Sequence, residues 1–218
     1  MAMIFTDRRD AGRRLAEALR PLVAGREVLV LGLPRGGIPV AYEVASALDA
    51  PLDVFVVRKL GAPGQPELAM GAIASGGVRI LNEDVIDALR IPPEAVEFVA
   101  EAEQRELERR EREYRGARPF PDVLGRTVII VDDGLATGAT MMAAIQALRH
   151  RAPAQIIAAA PTGADETCRA IRRVADACVC LECPTPFYGV GQWYADFSQT
   201  SDDEVVELLR APAAARGA

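Results

Sequence analysis

Val128-Ile-Ile-Val-Asp-Asp-Gly-Leu-Ala-Thr-Gly-Ala-Thr140 is the stretch that decides the fold of this chain. An unbroken apolar run leads into two adjacent acids and then into a small-residue turn that opens a helix. A strand apolar at every position is buried on both faces, the situation of a parallel sheet covered by helices. The turn sets the amides of Thr137, Gly138, Ala139 and Thr140 at a helix start. With the hydroxyls of Thr137 and Thr140 they form a phosphate cradle assisted by the helix dipole. Gly138 lets the backbone come close to phosphate oxygens. Asp132 and Asp133 stand one step away, placed for the 2- and 3-hydroxyls of a phosphorylated sugar and for a bridging Mg²⁺ or its waters.

The pattern repeats on both sides of this stretch. Glu27–Leu33, Leu52–Val57, Thr127–Val131, Ile156–Ala160 and Ala177–Leu181 read as buried strands. Helical periodicity marks 7–24, Ile38–Leu48, Ala139–Arg149, Ala164–Val174 and Ser201–Leu209, the last with capping-box spacing between Ser201 and Glu204. Strands alternating with helices predict an α/β fold with a mostly parallel five-stranded sheet flanked by helices. Ligands in such sheets sit beyond the carboxyl ends of the strands at a switch in strand order, so the loops after Leu33, Val57 and Val131 are the ones to interrogate. Two short β-like segments fall near Ala69–Ala74 and Val78–Leu81. Glu94–Arg115, dense in glutamate and arginine three and four apart, reads as a long solvated helix on the surface or lining an oligomer contact.

Composition narrows the function. Half of the 218 residues are apolar, which excludes a disordered chain, and no apolar run approaches the roughly 18 residues of a membrane span. A net charge of −6 disfavours a general nucleic-acid or anionic-membrane surface. The charged N-terminus lacks a signal-peptide core, so a soluble, cytoplasmic protein is expected. His150 is the one histidine, which leaves almost no material for histidine-rich metal sites or Ser-His-Asp catalysis. Lys59 is the one lysine. Of the four cysteines, Cys178, Cys180 and Cys183 fall in Ala-Cys-Val-Cys-Leu-Glu-Cys, where alternation suits one face of a strand; together with Cys168 they are expected as buried reduced thiols rather than a zinc knuckle.

The central stretch resembles the PRPP-binding signature of type I phosphoribosyltransferases: four apolar residues, two acids, a short spacer, then Thr-Gly-x-Thr. Gly32-Leu-Pro-Arg-Gly-Gly-Ile-Pro-Val-Ala41 is similar to the pyrophosphate loop of that family, with Pro34, Arg35, Gly36 and Gly37 at its centre. Val57-Arg-Lys-Leu-Gly-Ala-Pro-Gly-Gln-Pro-Glu67 resembles the basic segment and mobile loop that close over the reaction. The resemblance covers roughly residues 27–182 and looks most like a bacterial phosphoribosyltransferase-like group whose substrate is not established. It implies one domain over 1–210, with hood or appendage elements from 1–26, 83–120 and 184–210 and a flexible tail over 211–218.

The resemblance also implies a chemistry: transfer of the 5-phosphoribosyl group from Mg-PRPP to a nitrogen heterocycle, releasing pyrophosphate. Asp132, Asp133, Ala136, Thr137, Gly138, Ala139 and Thr140 would bind PRPP, with Asp132 and Asp133 meeting Mg²⁺ mainly through PRPP and water. Arg58, Lys59 and Glu67 would serve the reaction, Glu67 as a general acid or base. One position departs from part of the family. Members acting on 6-oxopurines carry an acid where this chain has Ala136, which disfavours hypoxanthine or guanine and resembles the adenine, orotate and uracil branches. Phe187, Tyr188, Trp193 and Tyr194 are candidates for a hood that stacks on the acceptor base. A homo-oligomer, a dimer, is expected, with no nucleic-acid or membrane partner. The alternative is a non-catalytic PRPP sensor that keeps the binding loop, since one fold serves both uses. A P-loop nucleotidase or dinucleotide oxidoreductase is disfavoured, because the Walker and Gly-x-Gly-x-x-Gly patterns are missing.

Overall fold

The structure is a computed structural model that describes residues 4–211; positions 212–218, most of the tail expected to be flexible, lie outside the described residues. The elements in chain order are α1 (Arg8–Val23), β1 (Val28–Gly32), α2 (Gly37–Ala47), β2 (Leu52–Val54), β3 (Val57–Ala62), β4 (Gln65–Ala74), β5 (Val78–Leu81), α3 (Glu83–Leu89) and α4 (Pro93–Arg115). They continue with β6 (Thr127–Val131), α5 (Ala139–Arg149), β7 (Gln155–Thr162), α6 (Asp165–Ile171), β8 (Ala177–Glu182), a 3₁₀ turn at Val190–Trp193 and α7 (Asp202–Arg210).

The main sheet has five strands, all parallel, in the order β2-β1-β6-β7-β8. Every residue of β1 and β6 is buried, as their unbroken apolar runs predict. Alternate side chains serve opposite faces. Val28, Val30, Ile129, Val131 and Ile157 pack toward α1 and α2. Leu29, Leu31, Val128, Ile130 and Ile156 pack with Met141, Ile145 and Leu148 of α5. Each such fully buried aliphatic side chain contributes about 1.5–3 kcal/mol against its exposed state. The Asp7 side chain caps α1 by accepting from the Asp10 amide, and Ser201 caps α7 by accepting from the Glu204 amide, as its spacing predicts.

The structure departs from the sequence reading in three places. The expected strand over 52–57 breaks at Val54, where the Phe55 amide donates to the Gly32 carbonyl and the chain leaves the main sheet. From Val57 it enters a second, antiparallel sheet of order β3-β4-β5. The Gly/Pro stretch read as an irregular loop is therefore a hairpin, with Ala62 paired to Gln65 across Pro63 and Gly64. Third, α4 is not simply a solvated surface helix. Val96, Ala100, Leu107 and Tyr114 are buried along one stripe, and the helix packs on β3 and β2. At its end Arg115 is buried, donating from Nε to Asp53 Oδ1 at 3.0 Å and from a terminal nitrogen to the Val54 carbonyl at 2.8 Å. Among the described residues no helix is long and apolar enough to cross a membrane.

Candidate active site

The order of the main sheet fixes where a ligand can sit. From β1 the chain passes through α2 to β2 on one side, while from β6 it passes through α5 to β7 on the other. The loops leaving the adjacent ends of β1 and β6 therefore diverge and open a crevice between them. They are joined at the base, where the Leu33 amide donates to the Val131 carbonyl at 2.9 Å. Their surfaces fit closely: a Cβ on Gly36 would lie 2.0 Å from Asp133 Oδ2, and one on Gly37 2.6 Å from the Val131 carbonyl oxygen. The Pro34–Arg35 peptide in this loop is cis.

The two acids are differently held. Asp133 Oδ2 accepts from Arg8 Nε at 2.8 Å, an ion pair in which both side chains are largely buried. The Asp133 carbonyl accepts from the Tyr194 hydroxyl at 2.6 Å. Asp132 Oδ1 accepts the Asp133 amide at 2.9 Å. Burial, and next the charge of Asp133, push the Asp132 carboxyl well above the usual carboxylate range. Both groups offer the hard oxygen donors that Mg²⁺ takes.

Beyond the acids, Gly138 takes the left-handed conformation at φ 71° and starts α5, where the Ala139 amide makes a long 3.4 Å hydrogen bond to the Thr137 hydroxyl. The helix start keeps its other first amides for a ligand, in a dipole field that favours an anion. Thr137 and Thr140 are exposed there. Thr167 of α6 steadies the turn from behind, its hydroxyl donating to the Ala136 carbonyl at 2.7 Å. Across from it, β3 and β4 pack on α5. Val57, Lys59, Ala69, Gly71, Ala139 and Thr140 line a cavity of about 290 Å³ between hairpin and helix start.

A family model for the phosphoribosyl transferase domain matches residues 5–198, a span that takes in Arg8, both crevice loops, the hairpin and the aromatic segment. The chain belongs to this family. Two Mycobacterium tuberculosis proteins (strains CDC 1551 / Oshkosh and ATCC 25618 / H37Rv), each named "putative phosphoribosyl transferase", are 50% identical to it over 206 residues, 94% of this chain. The chain spans 46% of the length of these curated relatives. The crystal structure of TT1426 from Thermus thermophilus is similar with a TM-score of 0.85 and 42% identity, covering 95% of this chain and 98% of that one.

Within the phosphoribosyl transferase domain the structure brings some of the sequence candidates together and separates others. Asp132 and Asp133 meet Gly36 and Gly37, the turn of Thr137, Gly138, Ala139 and Thr140 follows them in the chain, and Lys59 lines one cavity with Ala139 and Thr140. Arg58 does not join them. Successive residues of a strand point to opposite faces, and Arg58 turns to α4, where its guanidinium pairs with Glu103. Arg35 pairs with Asp202 at the start of α7, at 3.5 Å. Glu67 has a fully solvated side chain on β4 and bridges to Lys59 Nζ at 3.3 Å.

The aromatic segment divides as well. Tyr188 is 78% exposed and Trp193 half-buried, but Tyr194 is buried against Phe5 and Phe197, with ring centroids at 5.6 and 5.0 Å. Tyr194 is therefore a strut under Asp133, not an open stacking surface for a base. Phe187 is half-buried. Sequence reading missed Arg8, whose guanidinium lies 4.0 Å from the Phe197 ring centroid while it holds Asp133. No local pattern distinguishes Arg8 from Arg9 beside it.

Proposed function

We propose that this domain transfers the 5-phosphoribosyl group of Mg-PRPP to a nitrogen heterocycle and releases pyrophosphate. The observation that carries the reading is the crevice between β1 and β6, which a glycine loop, two acids and a glycine-started helix line, with the one lysine across the cavity beside that helix start. The helix-start amides with Thr137 and Thr140 would hold the 5-phosphate. Asp132 and Asp133 would take the ribose hydroxyls and the Mg²⁺ that accompanies the pyrophosphate. The donor set and the glycine surface, which any Cβ would obstruct, fit that pair of ligands. Held there, Mg²⁺ would supply charge neutralisation of the leaving pyrophosphate.

In the reaction the anomeric carbon–oxygen bond breaks toward pyrophosphate, positive charge develops on the ribose, and the heterocycle nitrogen bonds to the anomeric carbon. The chain contributes position and charge. Lys59 is placed to reach the leaving group from the hairpin. Arg35 and Arg58 would join it only by leaving Asp202 and Glu103, partly exposed pairs of the kind worth no more than about 1 kcal/mol. Glu67, bridged to Lys59, is better placed to position that ammonium than to exchange protons with an acceptor. Ala136 favours an acceptor other than a 6-oxopurine, and Phe187, Tyr188 and Trp193 are proposed as its hood. Homo-oligomerisation belongs to the same proposal; Phe98 on α4 is 73% exposed.

The test is pyrophosphate release from PRPP and Mg²⁺ against a panel of purine, pyrimidine and other heterocyclic acceptors, with PRPP binding measured in parallel by calorimetry. Release that depends on one acceptor establishes the transferase and names its substrate. Binding without release by any acceptor supports the sensor reading. A wild-type protein that does not bind PRPP overturns both.

A further inference from the structure

Behind the crevice, on the face of the main sheet covered by α5 and α6, three thiols converge. Cys168 is fully buried on α6, Cys180 lies on β8, and Cys183 follows the end of that strand. Their Sγ atoms all lie within 4.8 Å of one another, and all four cysteines of the chain are free thiols. Sequence reading expected these cysteines as buried reduced thiols and placed Cys180 and Cys183, but not Cys168, in one strand stretch. Folding brings Cys168 in from a different element, and Cys180 and Cys183 then present the C-x-x-C spacing of thiolate metal sites.

We propose that Cys168, Cys180 and Cys183 form a binding site for a thiophilic metal ion of the Zn²⁺ class, with the fourth position open to water or an external ligand. Metal–sulfur bonds of about 2.3 Å place tetrahedral thiolates roughly 3.8 Å apart, so the three sulfurs need to draw in by only about an ångström. The site lies between α6 and the paired ends of β7 and β8. Hydrogen bonds from Cys180, with a smaller contribution from Cys183, lower the pKa of the Cys168 thiol to about 6 against the opposing effect of burial. The Cys180 thiol also lies 3.3 Å from the Glu182 carbonyl. On the same sheet face Thr162 is fully buried with a hydroxyl that has no partner, a further polar group in a layer otherwise apolar.

The site lies directly behind the phosphate-type loop. A Cβ on Gly163 would lie 2.9 Å from Cys168 Sγ and 2.8 Å from Leu135 Cβ, so cluster and loop meet across that one glycine. One residue before Cys168, Thr167 holds the Ala136 carbonyl. A metal joining α6 to β8 would therefore fix the support of the turn that starts α5. Thiolate ligands must lose their protons to bind a metal, so affinity must weaken as the pH falls.

The probe is Co²⁺, then Zn²⁺ in competition, titrated into the full chain kept reduced with a phosphine in place of a thiol. One equivalent of Co²⁺ giving thiolate charge-transfer absorption, displaced by one equivalent of Zn²⁺, is the expected result. Cys168→Ser, Cys180→Ser and Cys183→Ser should each weaken Zn²⁺ by at least about 100-fold, while Cys178→Ser, on the same strand but outside the cluster, binds as wild type. Binding that survives Cys168→Ser, binding lost equally in Cys178→Ser, or no charge-transfer band in the reduced wild type overturns the site. A disulfide found among the three sulfurs in protein purified under reducing conditions also overturns it. None of these readouts depends on phosphoribosyl transfer.

Discussion

Replacing Gly36 by alanine isolates the fit between the two crevice loops. The backbone at Gly36 is right-handed, φ −59° and ψ −30°, so alanine suits its conformation and backbone strain plays no part. Its methyl would instead lie 2.0 Å from Asp133 Oδ2 and 2.6 Å from Asp133 Cγ, more than an ångström inside normal contact. The carboxylate must swing away, and it leaves Arg8 Nε, now 2.8 Å distant, when it does. A hydrogen bond between charged groups is worth about 1.5–3 kcal/mol. Thermal unfolding should show a loss in that range. An ångström of misplacement at a reacting site can cost on the order of 100-fold, so PRPP affinity and pyrophosphate release should both fall by about that factor. Calorimetric titration of Mg-PRPP into wild type and Gly36→Ala reads it directly. Gly189→Ala is the control, since a Cβ there meets nothing within 4 Å. A Gly36→Ala protein that binds PRPP within twofold of wild type would refute the placement of Asp133 in the sugar site.

Three further outcomes follow from the same geometry. Arg115→Ala leaves Asp53 buried without its guanidinium and should cost about 3–5 kcal/mol, a fall of roughly 6–20 °C in Tm for a domain of this size; thermal unfolding checks it, and an unchanged Tm removes the anchor from α4. Tyr194→Phe loses the hydroxyl that donates to the Asp133 carbonyl and should cost about 1 kcal/mol while weakening PRPP less than tenfold, as stability and titration measurements will show. The Asp176 carboxyl is held below its ordinary range by the Arg149 guanidinium and by the Ile156 amide, which it accepts at 2.7 Å. Its contribution is then complete above the unfolded carboxylate value of about 3.9 and is lost as the pH falls through the lower folded value. The stability gap between wild type and Asp176→Asn, followed by denaturant titration from pH 7 to 3, should therefore narrow only at the acid end. With Arg149 and Asp176 partly exposed, the ion-pair share of that gap is less than about 1 kcal/mol.

The backbone of the proposed phosphate turn was legible residue by residue, because it is local. The end of β6, the two acids and the start of α5 follow one another in the chain, and each step has a short-range cause: unbroken apolar burial, a glycine at positive φ, an open helix start. Arg58 and Lys59 show where such reading stops. They are adjacent, both basic, and equally suited to an anion, yet a strand sends them to opposite faces, one to Glu103 and one to the cavity. Tyr194 shows the same limit. An aromatic cluster in sequence does not say which ring becomes core, and the contacts that bury Tyr194 come from Phe5 at the other end of the chain.

Strand and helix period, the apolar runs of β1 and β6, and the motif at 128–140 by themselves determined a parallel α/β sheet and the loop where an anion site is proposed, since these signals need only neighbouring residues. Tertiary structure alone decided that Arg8 holds Asp133, that Arg115 locks α4 to Asp53, and that Cys168 meets Cys180 and Cys183. Each of these contacts joins distant parts of the chain. Its energy comes from burying charge or sulfur together, which no single segment can do before the sheet has formed.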